Sequence, residues 1–227
     1  RGFGEHLLNH HRMGEAEEPL REAVALRRAV GQEGPSLVSP LLTLGRWLWW
    51  SGRLDEAAGP TTEAVEIARR ELPEAHPLRL EAISMLANVE QQRRSHEQAE
   101  ALYREALAGQ LRFHGPRHTA TGTTTNNLGS LLLELGRLEE AERRFGEASE
   151  AYLESLGPDH YWVSIARLNR GRALLRLGRL DEAEAELQDA RRIRRQHDSE
   201  PWQVAEVEEL LAECRAARAG ATGAVPP

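Results

Sequence analysis

Nine histidines and a single cysteine are the side chains here best suited to bind a metal or act as nucleophiles. His76, His118 and His160 stand 42 residues apart, in the segments EAHP, GPRH and GPDH. A zinc site needs its ligands around one ion, whereas residues a whole repeat apart fall one supersecondary unit apart along an edge. They are therefore read as loop or helix-cap hydrogen-bonding groups. His6 and His10, with Glu5 and His11 beside them, have the i, i+4 spacing that can hold zinc, but no third ligand follows at a set distance. Cys214 lies on an apolar stripe and reads as a small hydrophobe rather than a nucleophile. The sequence has no GxxxxGK[ST], no GxSxG, no HExxH and no lysine. The expectation is a chain that is not an enzyme, with no catalytic residue, cofactor or metal.

The elements that carry these residues repeat. Ala57, Ala99, Ala141 and Ala183 are spaced by 42, as are Ala64, Ala106, Ala148 and Ala190; Ala16 and Ala23 form a further copy one residue short. A fixed period of this size means stacked supersecondary units. The cleanest copy runs over residues 126–160. Leu128, Leu131, Leu132 and Leu135 give one apolar helical face, with Gly129 leaving room for a neighbouring helix. Gly136 ends that helix, since glycine accepts the left-handed conformation of a C-terminal cap. Leu138, Ala141, Phe145, Ala148 and Tyr152 give the inward stripe of a second helix, stopped by Gly157-Pro158. The unit is helix, short turn, helix, loop.

Gly45, Gly52 and Leu54 mark the preceding copy but one, Leu86, Ala87 and Tyr103 the next, and Gly171, Gly178, Leu180 and Leu187 the last. The first copy is partial, with Phe3, Gly4, Met13 and Leu20. Arg94 stands where Gly52, Gly136 and Gly178 stand, His96 where leucine stands, and Arg170 where Leu44, Leu86 and Leu128 stand. After His197 the pattern breaks. Val204, Val207, Leu210, Leu211 and Cys214 then form an apolar stripe opposed by Glu206, Glu208, Glu209 and Glu213, as a terminal cap requires. The run TATGTTTNN over 119–127 predicts a weak helix start, since threonine and glycine are poor helix formers.

These residues resemble the tetratricopeptide repeat, with small residues at both helix crossings and an aromatic or leucine four residues after the second-helix alanine. The 42-residue length and the Gly-Pro-Asp-His loop are similar to the kinesin-light-chain type of that repeat, which also occurs in bacterial multidomain proteins. The resemblance implies an all-α, right-handed superhelix of five helix pairs, the first incomplete, followed by a capping helix. Repeats are expected at about 1–35, 36–77, 78–119, 120–161 and 162–197, the cap at 198–219 and a disordered tail at 220–227. It also implies that first helices line a concave groove. The positions one and five after each packing Gly or Ala are then Arg46 and Trp50, Asn88 and Gln92, Ser130 and Glu134, Arg172 and Arg176. Asn126 lies one turn earlier on the same face, and Asn127 and Asn169 share a register. Asparagine can pair with both backbone groups of an extended peptide, and arginine can grip a carboxylate with two bonds.

The expected function is a non-catalytic scaffold binding a peptide or protein in that groove, with a preference for acidic peptides from Arg46, Arg172 and Arg176, against the opposing charges of Glu81 and Glu134. The parent is expected to be a larger, bacterial signalling protein carrying an upstream kinase, nucleotide-switch or protease domain. The alternative is self-association through an N-terminal edge where Phe3 and Leu7 are uncovered. A net charge of −7 argues against nucleic acid, which demands a basic field. No apolar run approaches the ~20 residues of a membrane span. A lone cysteine favours the cytoplasm. The chain opens on Arg1, not Met, and its first copy is expected to start partway through a helix, so a piece of a longer protein is expected.

Overall fold

The computed structural model describes residues 17–31, 34–197 and 200–222. Among them every regular element is an α-helix: α1 Glu17–Ala29, α2 Pro35–Trp50, α3 Leu54–Glu71, α4 Pro77–Gln92, α5 His96–Phe113, α6 Thr119–Glu134, α7 Leu138–Leu156, α8 Tyr161–Arg176, α9 Leu180–Gln196 and α10 Pro201–Thr222. They form two compact units, one ending at Phe113 and the other starting at His114. Unit 1 holds the pairs α2/α3 and α4/α5, with α1 packed on α2. Unit 2 holds α6/α7 and α8/α9, with α10 packed on α9. Phe3, Gly4, Met13 and Ala16 of the partial first copy lie outside the described residues. So do Leu7 of the expected N-terminal edge and the possible ligands Glu5, His6, His10 and His11.

Each pair closes on one small residue facing one larger one. The four facing residues, Thr61, Tyr103, Phe145 and Leu187, are themselves 42 apart. A Cβ added to Gly45 would meet Thr61 Cγ2 at 2.4 Å, one on Gly129 would meet Phe145 at 2.8 Å, and one on Gly171 would meet Leu187 at 2.7 Å. The third copy places Ala87 opposite Tyr103, and both are fully buried. Ala57, Ala64, Ala99, Ala106, Ala141, Ala148, Ala183 and Ala190 have no exposed surface. The alanine period thus marks the closest helix approaches, where a larger side chain has no space.

Helix ends follow the same period. Gly52, Gly136 and Gly178 have φ of 73°, 77° and 75°. At each, the next backbone N–H closes the preceding helix, as Arg137 N does on the Leu132 carbonyl at 2.9 Å. Arg94 adopts the same left-handed conformation, φ 66°, and Ser95 N still reaches the Glu90 carbonyl at 2.9 Å. The turn geometry is therefore set by the pair it connects, and the side chain bears the strain. At the other end, His76, His118 and His160 are N-caps: Nδ1 of each accepts from the backbone N–H two residues on, at 3.2, 3.1 and 3.2 Å. This is the hydrogen-bonding role their spacing suggests.

The threonine run forms the first turns of α6 in spite of its propensity. Thr121, Thr124 and Thr125 are buried. Thr121 Oγ1 donates to the Gly115 carbonyl at 2.8 Å, and Thr119 Oγ1 to Ser155 Oγ at 2.9 Å. A Cβ on Gly122 would meet Ala151 and Tyr152 at 3.0 Å. Small residues here let α7 approach, so packing overrides the weak local preference.

The cap α10 runs to Thr222, three residues past its expected end, and 223–227 lie outside the described residues. Val207, Leu211 and Cys214 pack with Ala183, Leu187 and Ala190. Burial pushes the Cys214 thiol pKa up, which suits an inert core residue. One expectation fails. Glu206 does not stay on the polar outer face but turns inward, accepting from Arg194 at 2.9 Å and Arg172 at 2.5 Å. Arg194 is 2% exposed, and a buried guanidinium needs a carboxylate partner.

Candidate functional site

Once helix pairing has used its apolar faces, each first helix keeps an open stripe at helical spacing, repeated every 42 residues. In unit 1 it runs through Ser39, Thr43, Arg46 and Trp50 on α2, and Leu78, Glu81, Met85, Asn88 and Gln92 on α4. In unit 2 it runs through Thr123, Asn127, Ser130 and Glu134 on α6, and Trp162, Ile165, Asn169, Arg172 and Arg176 on α8. All but Met85 are at least partly exposed. Within each unit the two first helices also touch one another, α2 with α4 and α6 with α8.

In unit 1, Arg46 Nη2 lies 2.5 Å from Glu81 Oε1, so its charge is met on the neighbouring helix. Trp50 is half exposed, its ring centroid 6.5 Å from that of the more buried Trp49. Trp47 carries the Arg53 guanidinium on its face at 5.6 Å. Tyr103 donates its hydroxyl proton toward Asn88 Oδ1, 2.6 Å away, with Gln91 Oε1 at 2.8 Å, which orients the Asn88 amide. Gln92 is exposed, one turn beyond Asn88.

In unit 2, Asn126 is only 8% exposed, and its Oδ1 accepts from Asn169 Nδ2 at 3.3 Å. It joins α6 to α8 from beneath the surface. Asn169 Oδ1 accepts from Arg172 Nη1 at 3.2 Å, and the other arm of Arg172 holds Glu206. Arg176 is exposed and donates to the Leu133 carbonyl at 2.7 Å. Ser130 sits half-buried between the two ends of the stripe. Groove residues named from sequence thus divide between the units. Arg46, Trp50, Asn88 and Gln92 belong to unit 1, and Asn126, Ser130, Arg172 and Arg176 to unit 2.

Sequence reasoning passed over Trp162. It occupies the stripe position of Ser36, Leu78 and Ala120 and is 40% exposed. Tyr152 stands edge-on to it at 5.6 Å and His160 at 5.7 Å. Extending the 42-residue register one turn toward the helix start would have found it.

Arg170 fills a leucine position by pairing sideways. Its guanidinium lies 2.6 Å from Glu142 and 2.8 Å from Glu186, and a Cβ built on Gly146 would meet it in ordinary contact at 3.6 Å. This network lies between α7, α8 and α9 and leaves the stripe alone. Among the described residues no group of three or more His, Cys, Asp or Glu is placed to hold a metal, and no helix is long and apolar enough to cross a membrane.

The tetratricopeptide repeat family model matches residues 78–154 and 123–196, together more than half of the chain. The chain belongs to the tetratricopeptide repeat family. Among solved structures it is similar to BtubC (BKLC) from P. vanneervenii, at 19% identity and a TM-score of 0.69 over 96% of this chain and 94% of that one. It is similar to the nearly identical TPR-like repeats assigned to a kinesin light chain of Podosopora anserina, at 21% identity and 0.71 over 86% and 92%. It also resembles aspartyl phosphate phosphatase F from Bacillus subtilis, at 15% identity and 0.74, where 92% of this chain matches 56% of that one. These likenesses show the fold. No curated protein matches the chain significantly. The 42-residue tetratricopeptide unit read from the sequence is thus the unit of the structure.

Proposed function

We propose that this chain is a non-catalytic scaffold, the recognition part of a larger signalling protein, and that it binds an extended peptide or partner segment along the first-helix stripes. One observation carries the reading. The stripes keep polar, hydrogen-bonding side chains and an exposed tryptophan in each unit, at positions that helix pairing leaves open. Side-chain amides held in place by neighbours, as Asn88 and Asn169 are, lose little freedom when they grip a backbone. Trp50 and Trp162 offer rigid apolar area beside them.

The acidic preference expected from three arginines narrows to one. Arg46 and Arg172 already face Glu81 and Glu206, whereas the bond made by exposed Arg176 is to an uncharged carbonyl. Fluorescence anisotropy with acidic and basic peptide libraries tests both points. The expected result is an acidic preference that weakens with salt and disappears in Arg176→Ala but survives in Arg46→Ala. Selected peptides that bind Trp50→Ala and Trp162→Ala as well as the parent would move binding off the stripes.

A further inference from the structure

The loop before α6 carries a histidine where its two counterparts carry a leucine. Leu72, His114 and Leu156 occupy the same place in successive loops, each four residues ahead of the capping histidine. Where the other two loops put a leucine before His76 and His160, this one puts an ionisable ring. The His114 and His118 rings are stacked with centroids 4.0 Å apart and planes within 11°. His118 is at the same time the N-cap of α6, its Nδ1 accepting the Ala120 N–H at 3.1 Å.

That bond needs the Nδ1 lone pair, so a proton there removes the cap. The same proton puts a positive charge at the helix N-terminus, where the macrodipole disfavours it. Two protonated rings at stacking distance would also repel one another. The helix behind the cap is a poor one by composition, with Thr119, Thr121, Gly122, Thr123, Thr124 and Thr125 in its first two turns. A titratable pair, a cap that depends on it and a helix start of low intrinsic propensity therefore coincide at one point of the chain.

We infer that the His114–His118 stack is an acid-sensitive latch: above neutral pH it holds the start of α6 closed, and on acidification it releases the α5–α6 loop and the first turns of α6. The charged residues that flank the stack in sequence are themselves paired. Arg117 in the loop is paired with Glu154 on α7 at 2.8 Å, and Arg112 on α5 with Glu74 at 3.5 Å. Burial, and secondarily the charge of His118, hold the His114 pKa below its ordinary value. The closed form therefore resists a proton that the open form accepts. Its advantage is complete above the unfolded value of about 6.5 and is lost as pH falls through the folded value.

The α8 start is an internal control, because His160 caps it in the same way with Leu156 in place of the second ring. Hydrogen exchange at pH 7.5 and 5.5, corrected for the intrinsic rates, compares amides 119–124 with 161–166. Acid is expected to lower protection of 119–124 severalfold more than that of 161–166. His114→Leu, which restores the residue of the other loops, should bring the two segments level. In parallel, the His114 ring resonances of the unmodified protein should titrate below the ordinary histidine midpoint. Equal acid responses in the two segments, an excess that survives His114→Leu, or a His114 midpoint at or above the ordinary value would each overturn the latch.

Discussion

Arg94 shows what one side chain contributes when the fold around it dictates the backbone. Three glycines take a positive φ at the turn between paired helices, and Arg94 takes it with a Cβ. An L-residue there costs about 1–2 kcal/mol, while glycine costs roughly 0.5–1 kcal/mol of extra chain entropy on folding. Arg94→Gly should therefore raise stability by up to about 1 kcal/mol, seen as a higher urea midpoint. Gly136→Ala should lower it by about 1 kcal/mol. Opposite signs from the two variants are the diagnostic; a fall in Arg94→Gly would mean that its side chain stabilises the turn by more than the strain. The fully buried alanines make the complementary case. Ala99→Leu and Ala141→Leu place a large side chain where two helices are closest and should each cost ~1–3 kcal/mol. Glu139→Ala, on an exposed position, should stay within ~0.5 kcal/mol. Denaturation midpoints of the three that coincide would show that the helix contacts are not where the alanine period puts them.

At the scale of an element, α10 is fastened by a buried charge as well as by its apolar stripe. Glu206 links Arg172 of α8 with Arg194 of α9, and Gln203 donates to the Tyr161 hydroxyl at 2.6 Å. Removing one partner of such a network leaves the other charge uncompensated. Glu206→Ala should therefore cost about 3 kcal/mol, toward the lower end for breaking a buried pair. Glu209→Ala, on the exposed side of the same helix, should cost under ~0.5 kcal/mol. Exchange protection of α10 amides reads this directly. If both variants leave it unchanged, the apolar contacts of Val207, Leu211 and Cys214 hold the cap alone. Arg170 follows the same logic on α8, where a leucine position is rebuilt with a guanidinium and two carboxylates.

Across the whole molecule the ion pairs give stability a defined acid dependence. Hydrogen bonds from Arg53 hold the carboxyls of Glu17 and Glu56 below the usual carboxylate range, and one from Arg179 does the same for Glu182. For Glu206, burial opposes the charge, but the hydrogen bond from Arg194 and the charge of Arg172 prevail and the pKa is lowered. A depressed folded pKa means that the unfolded chain takes up protons first. The stability contributed is thus complete above the unfolded value near 4.5 and is lost as pH falls through the folded values. Thermal midpoints should fall slightly from pH 7 to about 5, through His114, and steeply below about 4.5. Added salt should lower the neutral-pH midpoint only slightly, since the exposed pairs contribute little. A midpoint that holds steady down to pH 3 would contradict the assigned pairings.

The helix pairs, their crossing points and their histidine caps were legible in the chain because each depends on local spacing. A 42-residue register, a glycine at a turn and an alanine at a contact are one-dimensional signals that every copy repeats. The departures were legible as departures too, and Arg94, Arg170 and the threonine run each proved to be a place where neighbours impose the conformation. What each side chain meets was decided only in three dimensions. The partner of Arg46 is 35 residues away and that of Arg172 is 34, each on another helix. Helical phase puts Asn126 on the open face, yet its depth beneath α8 buries it; the same phase puts Glu206 outside, yet the buried Arg194 draws it in. Spacing along the chain sets the direction in which a side chain leaves its helix. How far it travels, and which charge it meets, depends on the neighbouring helices packed around it.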